Sequence, residues 1–340
     1  MADWRGILFS LGHKVIGIDI GFESIKIVGV EQAGKSAKVI GFNQIPISEP
    51  IIESDHIKDK QKIAGLIDQA IKEAKPSSLK ARSCVTVMPE FLVFSKTIQL
   101  PKMPEEELKT AALNQASQYI PVAIADVNVD SQVLITHPDE PLVDVLVVAT
   151  PKTLVDEYLE MFKLINLNIL AIETKALAAA RATIKPEDKG GILILEIGTE
   201  SSRLSIVDNR QVRFVSTINV GGDQIIQKIS GEVKDRQEFL AAKYKIGLPK
   251  EAVPNIVIDK IAEDIIKAIR YHQTRDYKAG KISEIRVCGS GSLIPNICPA
   301  IEKRIGIKSV IAQFAVSNSP KGLDGRYAVA LGLAMYKEEQ

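Results

Sequence analysis

Residues 15–28, "VIGIDIGFESIKIV", hold two alternating apolar runs joined by Asp19, Ile20, Gly21 and a short polar turn. Strict alternation is the pattern of half-buried strands, so the stretch predicts a β-hairpin. Taken alone, it is an ordinary hairpin whose turn happens to be acidic, since Asp and Gly are common turn residues. Residues 192–207, "ILILEIGTESSRLSIV", change its meaning. Both stretches contain acid-Ile-Gly-x-Glu-Ser-x-base: Asp19 to Lys26 in the first, Glu196 to Arg203 in the second. A further strand candidate follows each, "AKVIGFNQIPI" (37–47) and "QVRFVSTINV" (211–220). Chance likeness of two hairpins is the alternative. Duplication of a β-rich half explains more of the pattern.

A glycine in a tight turn lets backbone N–H groups approach a phosphate without an intervening side chain. Two such hairpins across a cleft would grip a polyphosphate from both sides. Asp19 and Glu196, one at the head of each, would hold the waters of a Mg2+ ion, a hard cation that keeps much of its hydration. A third element, "EIRVCGSGSLIPNI" (284–297), runs from an apolar strand through Gly289-Ser290-Gly291-Ser292 into an expected helix, an order that admits a phosphate or a planar base close to the backbone. It lacks the Gly-Lys-Ser/Thr of a Walker loop and the spacing of a dinucleotide fingerprint.

Composition bounds the alternatives. The 340 residues suggest about two or three domain-sized units, and 46% apolar with 25% charged residues is a globular composition. Net charge is +1, from 43 basic and 42 acidic residues without a dense basic run, which argues against nucleic acid and an anionic membrane surface as partners. Apolar runs such as "LVDVLVVA" (142–149) are too short to span a bilayer. The first residues do not form a convincing signal peptide, although Trp4, Ile7, Leu8 and Leu11 would share one face of a short docking helix. Cys84, Cys288 and Cys298 have no metal-ligand spacing and read as core residues of a reduced, cytoplasmic protein. His272, on an apolar helical run, reads as packed rather than catalytic.

With these elements in order, the chain resembles the actin, Hsp70 and sugar-kinase superfamily. Residues 15–28 look like its first phosphate motif, 192–207 its second and 287–297 its adenosine motif. "EDIIKAIRYHQTR" (263–275) and "YAVALGLAMY" (327–336) look like its two helices that connect the halves, and "INVGGDQIIQKI" (218–229) like the segment whose glycines, Gly221 and Gly222, lie near the nucleotide. Within the superfamily the chain resembles the PilM family of type IV pilus assembly, relatives of the division protein FtsA. Residues 96–134 carry that likeness: a Leu-Pro, a Glu-rich helix start, "QYIP" (118–121) and an alternating strand. Pro104 is expected at the first helical position, Glu105–Glu107 in the first turn, Leu108, Ala111, Ala112, Gln115 and Tyr119 on one side, and Pro121 as the stop. "DVNVDSQVLI" and "VDVLVVAT" then form a hairpin.

The resemblance implies an α/β, actin-like fold, duplicated in the ribonuclease-H-like manner, with an FtsA/PilM-type inserted subdomain. Its expected parts are 13–90 with 165–188 (subdomain IA), the inserted 91–164 (IC), 189–225 with 282–340 (IIA) and 226–281 (IIB). It implies ATP or ADP with Mg2+ as cofactors, Asp19 and Glu196 at the metal, and Gly21, Ser24, Lys26, Gly198 and Thr199 at the phosphates. The implied partner is the N-terminal cytoplasmic peptide of a PilN-like membrane protein, which would keep the chain in the cytoplasm against the inner face of the membrane without insertion. Other pilus platform or motor proteins and self-association stay open. Three departures matter: Phe22 and Glu23 replace small hydroxyl residues, and Glu196 replaces an aspartate. They imply at most weak ATPase activity. A sugar-kinase reading lacks a marked catalytic base, Asp223 being better explained as a helix cap. An FtsA-type reading lacks the basic amphipathic tail after "YKEEQ" (336–340).

Overall fold

The computed structural model describes residues 13–33, 36–47, 52–53, 56–88, 93–120, 122–135, 141–230, 248, 256–275 and 280–337. The expected N-terminal docking helix, the Pro121 stop and much of 226–281 lie outside them.

The first half opens with β1 (His13–Ile20), β2 (Ser24–Ala33) and β3 (Ser36–Pro46), an antiparallel meander. A short ribbon, β4 (Ile52–Glu53) and β5 (His56–Ile57), precedes α1 (Lys60–Lys72). The Asp59 side chain caps α1 by accepting from the Lys62 N–H, and Ile63, Ala64, Ile67, Ala70 and Ile71 form its buried stripe. β6 (Lys75–Pro76) and β7 (Ser83–Val87) follow.

The inserted module starts with β8 (Phe94–Pro101) and α2 (Glu105–Ala116) and ends with the hairpin β9 (Val127–Ile135) and β10 (Leu142–Pro151), the expected pairing. Its sheet has the order β8-β10-β9 and its own core of Ile98, Leu100, Leu108, Ala112, Val145 and neighbours. Two expectations need correction. Pro104 is the N-cap with extended backbone, not the first helical residue. Tyr119 is exposed, lying beyond the end of α2 at Ala116, with the Lys96 ammonium over its ring.

The chain returns through α3 (Lys152–Lys163), β11 (Asn168–Glu173) and α4 (Lys175–Thr183). Leu154, Tyr158, Met161 and Phe162 bury α3 in the core of the first half, not in that of the inserted module. The second half repeats the plan with β12 (Gly191–Ile197), β13 (Ser202–Asp208), β14 (Gln211–Ile218), α5 (Gly222–Ser230), α6 (Ile256–Arg275), β15 (Ile282–Cys288), α7 (Ile297–Ile305), β16 (Ser309–Ile311) and α8 (Ala328–Ala334).

Sheet order makes the duplication explicit. The first sheet runs β11-β7-β1-β2-β3-β6 and the second β14-β13-β12-β15-β16. β1 pairs antiparallel with β2 and parallel with β7, just as β12 pairs antiparallel with β13 and parallel with β15.

The halves meet on α4 and α8. Both helices join a core that includes Val15, Val85, Ile192, Val207 and Cys288. A Cβ at Gly332 of α8 would stand 1.8 Å from the Ala178 carbonyl oxygen of α4, and one at Gly17 of β1 would stand 1.9 Å from that of Ala330. Only glycine permits these approaches. Sequence likeness gave this connecting role to 263–275. Instead α6 buries Ile258, Ile261 and Ile265 within the second half, and α4 is the partner of α8. His272 and all three cysteines are buried, as expected. Among the described residues, no helix is long and apolar enough to cross a membrane.

Candidate functional site

The two hairpins place their acid and base side chains directly across from one another. Asp19 pairs in register with Lys26, and Glu196 with Arg203. The turns also match: Gly21 N–H donates to the Ser24 carbonyl and Gly198 N–H to the Ser201 carbonyl, each at 3.0 Å. These glycines therefore serve the turns, and their N–H groups are already engaged.

Both hairpins open into one cavity of about 460 Å³, a size suited to a nucleotide. Of the residues expected at a ligand, Asp19, Gly21, Lys26, Glu196, Gly198, Thr199 and Ser290 line it. Ser24, Gly221, Gly222, Gly289, Gly291 and Ser292 are not in its wall. Ser24 accepts from the Gln44 amide, and Gly221 N–H donates to Gln224. Gly289 takes a left-handed φ of 81°, and a Cβ at Gly291 would lie 2.2 Å from Ile197 Cγ2. The glycine loop thus packs closely on the second hairpin. Most of the loop forms a short 3-10 turn, Ser290–Leu293, and α7 starts later than the sequence pattern indicated. Asp223 sits inside the first turn of α5, its N–H donating to the Thr199 carbonyl, and is not the N-cap.

Cations and acids meet at the floor. Lys175 Nζ is 2.9 Å from Asp19 Oδ1 and Lys26 Nζ is 3.9 Å from Asp19 Oδ2. Arg203 Nη1 donates to Glu196 Oε2 at 2.7 Å. Burial pushes the Asp19 carboxyl up, but Lys175 and Lys26 more than offset it and hold the group below the usual carboxylate range. Lys26 titrates low: burial disfavours its charge, Asp19 opposes this and Lys175 reinforces it. Glu23 accepts a 3.3 Å hydrogen bond from Thr199 Oγ1, linking the two hairpins.

Lys175 and Arg326 carried no motif signal in the sequence. Lys175 reaches the cavity because Thr174 caps the start of α4 by accepting from the Leu177 N–H. Val93, Phe94 and Ser95 bring the inserted module into the wall, which also includes Thr217 of β14 and Asn219 just beyond it.

The donor set does not suit Mg2+ in the expected manner. Each expected acid is already matched by cations of this chain, and a hydrated Mg2+ needs carboxylate oxygens facing it in a negative field. Among the described residues, no group of three or more His, Cys, Asp and Glu side chains is placed to hold a metal.

Duplicated sheets around a cleft, with paired hairpins at its floor, define the actin-like fold class. Solved structures bear this out. MreB5 of Spiroplasma citri bound to AMPPNP matches with a TM-score of 0.52 at 14% identity, over 95% of each chain. The ethanolamine utilization protein EutJ of Carboxydothermus hydrogenoformans matches with 0.52 at 12%, over 95% of this chain and 89% of that one. A PilM-PilN type IV pilus biogenesis complex matches with 0.75 at 21%, over 94% of this chain and 97% of that one. The chain belongs to the family of the type IV pilus assembly protein PilM, whose family model matches residues 17–338.

Proposed function

We propose that this chain is a cytoplasmic scaffold of type IV pilus assembly that binds an adenine nucleotide between its halves and holds the N-terminal tail of a PilN-like inner-membrane protein. The observation that carries the nucleotide reading is the convergence of Lys26, Lys175 and Arg203, with Thr199 and Ser290, on one cavity at the floor of two matching hairpins. Buried cations and hydroxyl donors in a concave site suit phosphate oxygens. The similar MreB5 structure, bound to AMPPNP, supports the same assignment.

The partner reading rests on family membership and on the likeness to the PilM-PilN complex. The inserted module offers edge strands β8 and β9, to which an extended peptide adds by main-chain hydrogen bonds. Tethering by that tail would hold the protein at the inner face of the membrane. Pilus platform and motor proteins are further candidate partners.

Occupancy rather than turnover suits the site. Asp19 and Glu196 are each paired with a cation, which makes them poor at orienting or deprotonating an attacking water. Calorimetry with ADP, ATP and a synthetic tail peptide tests both bindings. Saturable nucleotide binding that Lys26→Ala weakens by about tenfold or more is expected. Heat from the peptide but none from any nucleotide would remove the nucleotide half of the reading.

A further inference from the structure

Lys175 stands where helix electrostatics disfavour it. It is the first residue of α4, at the positive end of the helix dipole. Its side chain is only 11% exposed. An ammonium group is seldom buried there without a reason, and Asp19 supplies half of one. The other half is missing, because Asp19 also faces Lys26, itself 7% exposed. Two buried ammonium groups thus share one carboxylate, and both line the cavity. Glu196 is held by Arg203 and Glu23 by Thr199, although both also favour the charge on Lys26. Lys26 and Lys175 thus share one close carboxylate, in a place where burial makes their charge costly. An anion entering the cavity would give the two ammonium groups a further partner.

A divalent cation would do the opposite. Held at Asp19, even through water, it would stand beside the Lys175 ammonium and face Lys26 behind it. A phosphate chain finds in those same two ammonium groups the charge neutralisation that a metal ion otherwise provides.

We propose that Lys26 and Lys175 form a phosphate cradle in place of a divalent cation, so that a nucleoside di- or triphosphate binds here without resident Mg2+. The inference rests on the nucleotide reading above and specifies its chemistry. Asp19 then acts as a positioning residue, holding both lysines at the floor when no ligand is present. Mg2+ in solution competes with the lysines for the same phosphate oxygens.

The test is calorimetric titration of the full chain with ADP and with ATP, once in EDTA and once in excess Mg2+. Binding in EDTA at least as tight as in Mg2+ is expected. Binding roughly tenfold or more tighter in Mg2+ would overturn the cradle while leaving the nucleotide site standing. No binding in either buffer would overturn both. Lys175→Gln removes the charge with a polar side chain one atom shorter and loosens the hold on Asp19: its affinity in EDTA should drop by about tenfold or more, with Mg2+ recovering part of it. Unchanged affinity in EDTA would remove Lys175 from the cradle. A readout independent of any variant is the Mn2+ electron paramagnetic resonance spectrum of the wild-type protein with ADP. The spectrum that Mn2+ and ADP give without protein is expected to be unchanged, and one immobilised Mn2+ per protein would refute the proposal.

Discussion

Lys175 Nζ lies 2.9 Å from Asp19 Oδ1, so the first residue of the helix at the junction of the halves holds the head of the first hairpin. That contact joins the candidate binding site to the element on which the two halves meet. Ligand chemistry at the floor and packing between the halves therefore share a residue.

Asp19→Asn should reveal what the shared carboxylate contributes. It leaves Lys26 and Lys175 buried side by side without their carboxylate, and breaking a buried pair from one side costs about 3–5 kcal/mol. The melting temperature of the variant should fall, and pyrophosphate should restore more of it than it adds to the wild type. An equal shift in both proteins would show that the lysines do not meet the anion.

Gly332 and Gly65 should respond oppositely to added side-chain bulk. A Cβ at Gly332 meets the Ala178 carbonyl at 1.8 Å, so Gly332→Val should destabilise by about 3 kcal/mol or more by forcing α8 away from α4. Gly65, in α1, has nothing within 4 Å of the Cβ position. Gly65→Ala should stabilise by roughly 0.5–1 kcal/mol through helix propensity and a less flexible unfolded chain. Urea midpoints of both variants decide the matter.

How far the sequence foretold these features depends on distance along the chain. The acid and base of each hairpin were legible because the six residues between them form a tight turn that brings them opposite, as they are in Asp19–Lys26 and Glu196–Arg203. Lys175 was not, since nothing in "ETKALAAARAT" (173–183) points toward a hairpin so far upstream. The same segment hid the connecting helix: its alanines lack an amphipathic stripe, and their smallness gains meaning only against Gly332. Gly291 has a packing reason that the loop pattern did not announce: a Cβ there would meet the Ile197 side chain, three-dimensional information that a strand followed by glycines does not carry.

Acid should loosen the junction through Asp188. Both of its oxygens accept from Arg286 at 2.6 Å, and Arg286 also donates to the Thr183 carbonyl at the end of α4. The hydrogen bonds from Arg286 lead the effects on Asp188 and, against some burial, hold its carboxyl below the usual range. A group depressed in the folded state stabilises above its unfolded pKa, and this contribution disappears as the pH falls through the folded value. Asp188→Asn should therefore be less stable than wild type at neutral pH and draw level with it in acid. A constant difference between the two urea midpoints across that range would refute the assignment.

Nucleotide affinity should have an alkaline limit set by Lys26. In the free protein this ammonium titrates below the ordinary lysine value of about 10.4, because burial outweighs the help of Asp19 and Lys175 repels it. A bound phosphate favours the charged form, so the pKa of Lys26 is higher in the complex than in the free protein. Linkage then gives the sign: full affinity holds below the free-state pKa and is lost as the pH rises from there through the pKa in the complex, and binding takes up a proton in that window. Calorimetry in buffers of different ionisation heat measures the uptake directly. Lys26→Arg is the informative variant, since arginine stays charged throughout and should bind without the alkaline decline. If the wild type declined no earlier than an ordinary lysine would, or if Lys26→Arg declined in the same way, Lys26 would not be the group that meets the phosphates.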